Sequence, residues 1–296
     1  LLAPWRSALA LALDWALILA CFAGAIRWPS LAMDLAAAVL IARTQLALAV
    51  MMHEGAHGLL ARDRRVNDLV GQLFAAGPLL LSMFAYRRGH LQHHRAPMAD
   101  DDPVARVFGI GDYPVTRREL AWRLFKDASS IGYFLTLRDL LAARRRGSPA
   151  ASPSPAASRS NRGDGALAVG AIVLTNGMLF GGLAALGHPW LYLGLWIAPA
   201  LTWLQLFARI RAITEHAGHG PNEDQRQNAR TIMRPNWQTF FCGPHAIHFH
   251  IEHHRHVRVP FYRLRAVHDQ MRREGQLPVA NLYRGYGQVL KDVTHR

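Results

Sequence analysis

Residues 31–57 read LAMDLAAAVLIARTQLALAVMMHEGAH, an apolar run that ends directly in two histidines four positions apart. The part from Leu31 to Met52 is long enough to cross a bilayer, which takes about 20 residues at helical rise. Residues four apart on a helix share a face, so His53 and His57 can both reach one metal ion. A span that delivers a pair of metal-binding side chains at its end sets the terms for the rest of the chain.

Three further segments have the same length and character: 7–26, 166–187 and 190–208. The chain as a whole has 296 residues, 51% of them hydrophobic and 18% charged, and a mean hydropathy of +0.03. That near-zero mean averages long apolar runs with Arg-rich stretches, which is a membrane composition and excludes a disordered chain. Cys21 and Cys242 are the two cysteines, too few for a disulfide scaffold or a thiolate-built zinc or iron–sulfur site. The first segment is a full span that turns straight back into the second, so it reads as an anchor and not a cleaved signal peptide.

Charge then orients the spans. The connection between the first two carries one Arg (Arg27), and Gly187-His188-Pro189 between the last two carries none. Arg62, Arg64, Arg65, Arg87, Arg88, Arg144, Arg145 and Arg146 lie before the third span, and Arg209 and Arg211 come after the fourth. The positive-inside rule places both termini and both large loops in the cytoplasm. The formal charge of +14 is thus topology and attraction to anionic headgroups, and no nucleic-acid module interrupts the spans. Asp14, Asp34 and Arg43 fall inside spans, where an isolated charge is costly, so each is expected to face a neighbouring helix or to snorkel. A fifth apolar stretch, Leu69 to Tyr86, holds Gly71, Gly77 and Pro78. A straight crossing there would put the histidines on its two sides on opposite faces of the membrane, so it is predicted to be interfacial or re-entrant. From Ala142 to Gly165 the chain is rich in Ser, Pro, Arg and Gly and reads as a flexible loop joining two halves.

Half of the 16 histidines fall in three runs: His53 and His57 in HEGAH; His90, His93 and His94 in HLQHH; His250, His253 and His254 in HIEHH, about forty residues after the fourth span. Any one run has an ordinary reading as a solvated helix end or a polar loop. Three runs at ligand spacing, each near a membrane segment and all on one face, point to a centre of more than one metal ion, since neutral imidazole is the commonest ligand to iron and zinc.

The three runs resemble the histidine boxes of the membrane fatty acid desaturase superfamily, which also includes lipid and alkane hydroxylases and carotenoid ketolases. RRGHLQHHR at 87–95 is similar to the surroundings of the family's second box, and VPFYRLRAVH at 259–268 is similar to the stretch after its third. Arg255-His256 departs from the Leu-Phe or Leu-Tyr usual after the third box. The likeness runs from about Met51 to His268, outside the Ser/Pro loop.

The resemblance implies an all-α membrane protein in a single domain over 1–296, with four spans in two hairpins beneath a cytoplasmic helical cap that carries the boxes. It implies two iron ions, with O2 as co-substrate; zinc can occupy the same ligands in a purified sample. The eight box histidines carry over as ligands, and the family's further histidine after the fourth span falls on His216, with His219 as an extra candidate. His245, His248 and His256 are candidates to orient ligands from outside, whereas His188, His268 and His295 read as structural or exposed. The implied reaction is desaturation of an acyl chain of a fatty acid or lipid, in a bacterial inner membrane. The same ligands also serve a lipid, fatty acid or terpenoid hydroxylase or a ketolase. With no ferredoxin motif and no haem-binding run in this sequence, electrons come from a separate ferredoxin, rubredoxin or cytochrome.

Two other classes compete. HEGAH satisfies the HExxH pattern of a zinc protease, with Glu54 as general base, but that reading leaves at least five box histidines without a role. A metal carrier or transporter predicts paired ligands at mid-membrane depth, where none of the box histidines falls. Replacing Glu54 with Gln separates the first competitor: it abolishes turnover by a zinc protease and only weakens an oxidase, as measured by product formation per mole of protein.

Overall fold

The computed structural model describes residues 2–145 and 162–295. Among the described residues the chain is mostly helical, with four helices long and apolar enough to cross a membrane: Pro4–Arg27, Leu31–His57, Gly163–Ala185 and Tyr192–His216. The first two are α1 (Pro4–Arg27) and α2 (Leu31–His57). α2 starts where the Ser30 hydroxyl accepts the Met33 amide at 3.2 Å, and it stops at Gly58, whose φ of +78° closes the helix in a conformation that side chains disfavour. α1 packs along α2 through Ile18, Phe22 and Ala25 against Ala37, Ile41 and Leu48, all buried. The opposite faces, with Leu9, Leu13, Leu19, Leu31 and Leu35, stay exposed, as a lipid-facing surface requires.

Asp14 is buried within α1, and side chains from two other segments meet it. His245 Nε2 lies 2.7 Å from its carboxylate and Arg43 Nη1 3.6 Å, while Arg43 Nε donates to the Phe240 carbonyl at 3.0 Å. The expected neighbour for the intramembrane charges is therefore found, and it ties the loop before the third histidine run to the first two spans. Asp34 sits in the first turn of α2, where a carboxylate suits the positive helix end.

The fifth apolar stretch bends back on itself. α3 (Arg64–Gly71) continues through a wide turn at Gln72–Ala76 and a tight one at Gly77–Leu79, and α4 (Met83–Arg95) leaves at 96° to it. A helix broken inside an apolar environment must satisfy the freed backbone groups internally. Gln72 does so across the break, donating to the Leu81 carbonyl at 3.0 Å and accepting the Met83 amide at 2.9 Å. Trp15 donates to the Phe74 carbonyl, Asn176 to that of Gly77 and Trp196 to that of Pro78, at 2.9–3.1 Å. Gly77 lies so close to the third span that a Cβ there would stand 2.8 Å from the Gln72 carbonyl and 3.1 Å from the Ala171 backbone. The histidines on either side of this segment touch, with His57 Nε2 2.9 Å from His90 Nε2, which a straight crossing forbids.

After α4 come α5 (Pro103–Phe108), α6 (Arg117–Ala128) and α7 (Ile131–Arg145), then the third span, α8 (Arg162–Ala185). The predicted loop over 142–165 is helical at both ends, within α7 and α8, and its middle, 146–161, lies outside the described residues. The fourth span starts with a wide turn at Tyr192–Ile197, continues as α9 (Ala198–Leu201) and, after a break at Thr202, as α10 (Trp203–His216). It runs eight residues past the predicted end at 208, because Arg209, Arg211 and Glu215 lower the hydropathy without interrupting the helix. The second span likewise runs to His57 and not Met52, and the third ends at Ala185, before the predicted 187.

The remaining helices are α11 (Trp237–Cys242), α12 (His250–Arg255), α13 (Leu264–Arg273) and α14 (Tyr286–Asp292). The expectation of an all-α chain misses four two-residue strands. β1 (Val115–Thr116) pairs in parallel with β4 (Thr294–His295), and β2 (Thr231–Ile232) with β3 (Leu282–Tyr283). Ladders this short have no period for a sequence to show; they are stitches between segments already held by helices.

Adding a methyl group at Gly77 forces the re-entrant turn off the third span. Gly77→Ala is expected to cost about 1–3 kcal/mol, and Asn176→Leu, which removes the side-chain bond to the Gly77 carbonyl and the acceptor of the Tyr192 hydroxyl, a similar amount. Thermal unfolding in detergent, compared with the unaltered chain, reads both.

Candidate metal centre

Nine of the ten histidines expected as ligands gather in two buried groups. His53, His57, His90, His94 and His253 form one, and His93, His216, His250 and His254 the other; within each group the ligand atoms all lie within 4.8 Å of one another. Helix geometry explains the division. His53 and His57 on α2, His90 and His94 on α4, and His250 and His254 on α12 are i, i+4 pairs, and each pair keeps to one group. The leftover member of each HxxHH run, His93 or His253, points about a quarter-turn away and joins the other group. His216, the last residue of α10, completes the second. The groups adjoin, with the rings of His94 and His254 4.3 Å apart between centroids.

The inner nitrogens crowd one another. His253 Nε2 lies 2.9 Å from His53 Nε2 and 3.0 Å from His94 Nε2, and His90 Nε2 lies 2.9 Å from His57 Nε2 and 3.0 Å from that of His94. In the second group His250 Nε2 is 2.8 Å from His216 Nε2 and 3.1 Å from His254 Nε2. An imidazole nitrogen has one proton or one lone pair to offer, so it cannot satisfy two such neighbours by hydrogen bonds. Two nitrogens about 2.1 Å from one ion at right angles stand about 3.0 Å apart, and these spacings fit that arrangement. The donor set is all imidazole, which suits iron, zinc, copper or nickel.

The outer nitrogens show how the rings are held. His216 Nδ1 donates to the Asn228 carbonyl at 2.8 Å, which fixes the proton on Nδ1 and leaves the lone pair on Nε2. His93 Nδ1 lies 2.8 Å from Asp102 Oδ2. Burial works to raise the Asp102 carboxyl, yet the hydrogen bonds from His93 and from the Met98 and Val104 amides prevail and hold it below the usual carboxylate range. It therefore acts as an acceptor for His93 while capping α5. Glu215 Oε1 lies 3.4 Å from His250 Nδ1 and accepts from Arg211 Nε at 2.6 Å. Glu252 bridges Thr231 Oγ1 (2.6 Å) and His268 Nδ1 (2.5 Å), securing α12 from behind. Burial first, then neighbouring imidazoles, hold His250, His253 and His254 well below the ordinary histidine value of about 6.5, so these rings are neutral at pH 7.

His219 lies in neither group. Its ring sits beyond the end of α10, where burial and the nearby Arg230 push it down to about 4. Of the three histidines flanking HIEHH, His245 meets Asp14, His248 donates to the Ile232 carbonyl, and His256 is exposed. Asp102, Asn228 and Glu215 escaped the sequence reading. Glu215 had a signal, one residue before His216 on a span; Asp102 stands nine residues after His93 with nothing to single it out from its acidic neighbours.

The model of the fatty acid desaturase family matches residues 26–286, nearly the whole chain and all three histidine runs. The chain belongs to the fatty acid desaturase family. It is 26% identical over 237 residues to a dihydrorhizobitoxine desaturase of Bradyrhizobium elkanii, covering 77% of this chain and 64% of that protein. It is 25% identical over 241 residues to an sn-1 oleoyl-lipid 12-desaturase of Anabaena variabilis, covering 75% and 64%. The chain thus spans just under two thirds of the length of these curated relatives. Family membership and the four apolar helices agree with a membrane protein, and each of the two histidine groups could hold a metal ion.

Glu54 counts against the protease reading. It is buried, its Oε2 accepts the Phe261 amide at 2.9 Å, and its Oε1 lies 3.6 Å from the outer nitrogen of His53, on the side away from the converging nitrogens. A general base would have to face them.

Asp102→Asn keeps an oxygen for the α5 cap and removes the charge beside His93. Metal affinity is expected to fall about 10–100-fold, read by competition with a chelator of known affinity; because the new amide nitrogen faces the Met98 N–H, the metal-free protein is also expected to lose about 1–3 kcal/mol of stability.

Proposed function

We propose that the chain is an O2-dependent oxidoreductase with two iron ions that removes two hydrogens from an acyl chain of a fatty acid or lipid. The observation that carries this reading is the gathering of nine imidazoles, from four helices, into two adjoining groups in a chain of the desaturase family. When bound, the irons supply the reduction of O2 and the cleavage of an aliphatic C–H bond, which offers no acidity for a base to exploit.

The chain's own residues hold and shield that site. His53, His57, His90, His94 and His253 would hold one ion, and His93, His216, His250 and His254 the other. Asp102 and the Asn228 carbonyl keep the protons of His93 and His216 on the outer nitrogens. The burial of eight of the nine rings keeps bulk water from the reacting centre. Where the acyl carbon is held relative to the two groups decides between loss of a second hydrogen and gain of a hydroxyl. Both named relatives are desaturases, and the run HFHIEHH at 248–254 has the desaturase form, so loss of hydrogen is the favoured outcome.

The charge pattern supports a cytoplasmic position for both termini and the histidine groups, and the reading sets the chain in a bacterial inner membrane. There the basic surface suits an acidic electron donor: a ferredoxin, rubredoxin or cytochrome.

High-resolution mass spectrometry of total lipids tests the reading, comparing cells that express the chain with cells that express His93→Ala, both supplied with a ferredoxin and its reductase. A species lighter by two hydrogens, absent from the variant, is the expected result. A species heavier by one oxygen would make the protein a hydroxylase on the same ligands, and identical lipids in wild-type and variant cells would overturn the lipid reading.

A further inference from the structure

The helices between the second histidine run and the third span carry apolar side chains that nothing in the described protein covers. On α6, Trp122 and Phe125 are 50% and 53% exposed, with their rings stacked at 5.5 Å, and Phe134 on α7 is 56% exposed. Helical spacing puts Phe134, Leu137 and Leu141 on one stripe of α7, all exposed, with Thr136 on the opposite side. Exposed in water, a stripe of this kind is a liability; it marks a surface that meets something apolar.

We propose that α6 and α7 lie in the plane of the membrane, with Trp122, Phe125 and Phe134 buried among the lipids at the headgroup boundary and the basic side chains beside them on anionic headgroups. Three observations choose lipid as the occupant. The pair is fastened at the right depth: Asp127 on the inner side of α6 is ion-paired with Arg209, which also donates to the Phe108 carbonyl, and Arg209 stands on α10 where the apolar part of the fourth span gives way to charge. The surface is therefore continuous with the one the spans already give to lipid. Residues 117–145 hold seven Lys or Arg against three Asp or Glu. Glu119 and Asp139 are each ion-paired within their own helix, and Asp127 is turned inward, so the outward charge is positive and complements anionic headgroups. Finally, the composition is that of interfacial helices: Trp and Phe in the apolar face, with long basic side chains at its margins that reach back to the headgroups. Lys126 lies 5.9 Å from the centre of the Trp122 ring in that arrangement.

The inference is independent of the reaction catalysed and is tested on the full-length protein in nanodiscs of phosphatidylglycerol and phosphatidylcholine. Nitroxides are placed singly at Phe125→Cys, Phe134→Cys and Thr136→Cys, the two native cysteines being buried. Collision rates with oxygen and with a water-soluble nickel chelate should report a depth of about 5–10 Å for the first two positions and an aqueous position for Thr136→Cys. Bromine on the acyl chains near the headgroups gives a second reading without cysteines: quenching of tryptophan fluorescence should drop on Trp122→Phe. Free access of the nickel chelate to positions 125 and 134, with no change in quenching on Trp122→Phe, overturns the proposal. So does shielding of these positions from both reagents only when a reduced acidic donor protein is added, which would make the face a protein-docking surface. Spin–spin broadening between two copies of Phe134→Cys would make it a contact between copies, and likewise overturns it.

Discussion

Nine imidazole nitrogens with lone pairs converging in a buried volume are an unstable arrangement on their own. Burial keeps His250, His253 and His254 from charging, and an inner nitrogen that stands against two others cannot satisfy both by hydrogen bonds. A cation resolves both difficulties, and the surrounding structure is organised to keep the lone pairs pointing inward until one is there. Asp102 and the Asn228 carbonyl take the outer protons of His93 and His216; Glu252, pinned by Thr231 and His268, fixes the helix that carries three of the rings.

The membrane imposes the matching constraint on the backbone. Bringing α4 to the end of α2 requires a helix that enters the apolar layer and turns back, and such a turn strands carbonyls and amides where no water reaches them. Gln72, Trp15, Asn176 and Trp196 supply the missing partners, two of them from the third and fourth spans. The spans are thus more than an anchor, because they close the hydrogen bonds of the turn that places the second histidine run. Asp14 does the same for the third run: it is a buried charge in α1 whose partners are Arg43 on α2 and His245 in the loop leading to α12. A polar residue within a span costs stability unless paired, and each of these is paired to a segment that carries or precedes a ligand.

Hydropathy and the i, i+4 spacing are local properties, and what they implied largely agrees with the structure: four long apolar helices, a bent fifth segment and histidine pairs on single helix faces. The misses have local causes. Charged residues in the last two turns of α10 hid the end of the fourth span, so His216 read as lying after the span when it is its last residue. The last turn of α7 and the start of α8 lay within a stretch whose composition suggested a loop.

What the sequence determined by itself was which side chains share a helix face, because helical pitch fixes that without reference to any other part of the chain. It also determined where lipid can be tolerated, because length and hydropathy are sums over neighbours. Which run supplies which group was decided only by tertiary structure. His53 meets His253, 200 residues away, and His94 meets His253 across 159, while His93 leaves its neighbour His94 for the other group. The position of His219 outside both groups and the pairing of His93 with Asp102 arise in the same way. Such contacts depend on the angles at which α2, α4, α10 and α12 converge, and those angles are set by packing between segments whose separation along the chain carries no trace of their meeting in space.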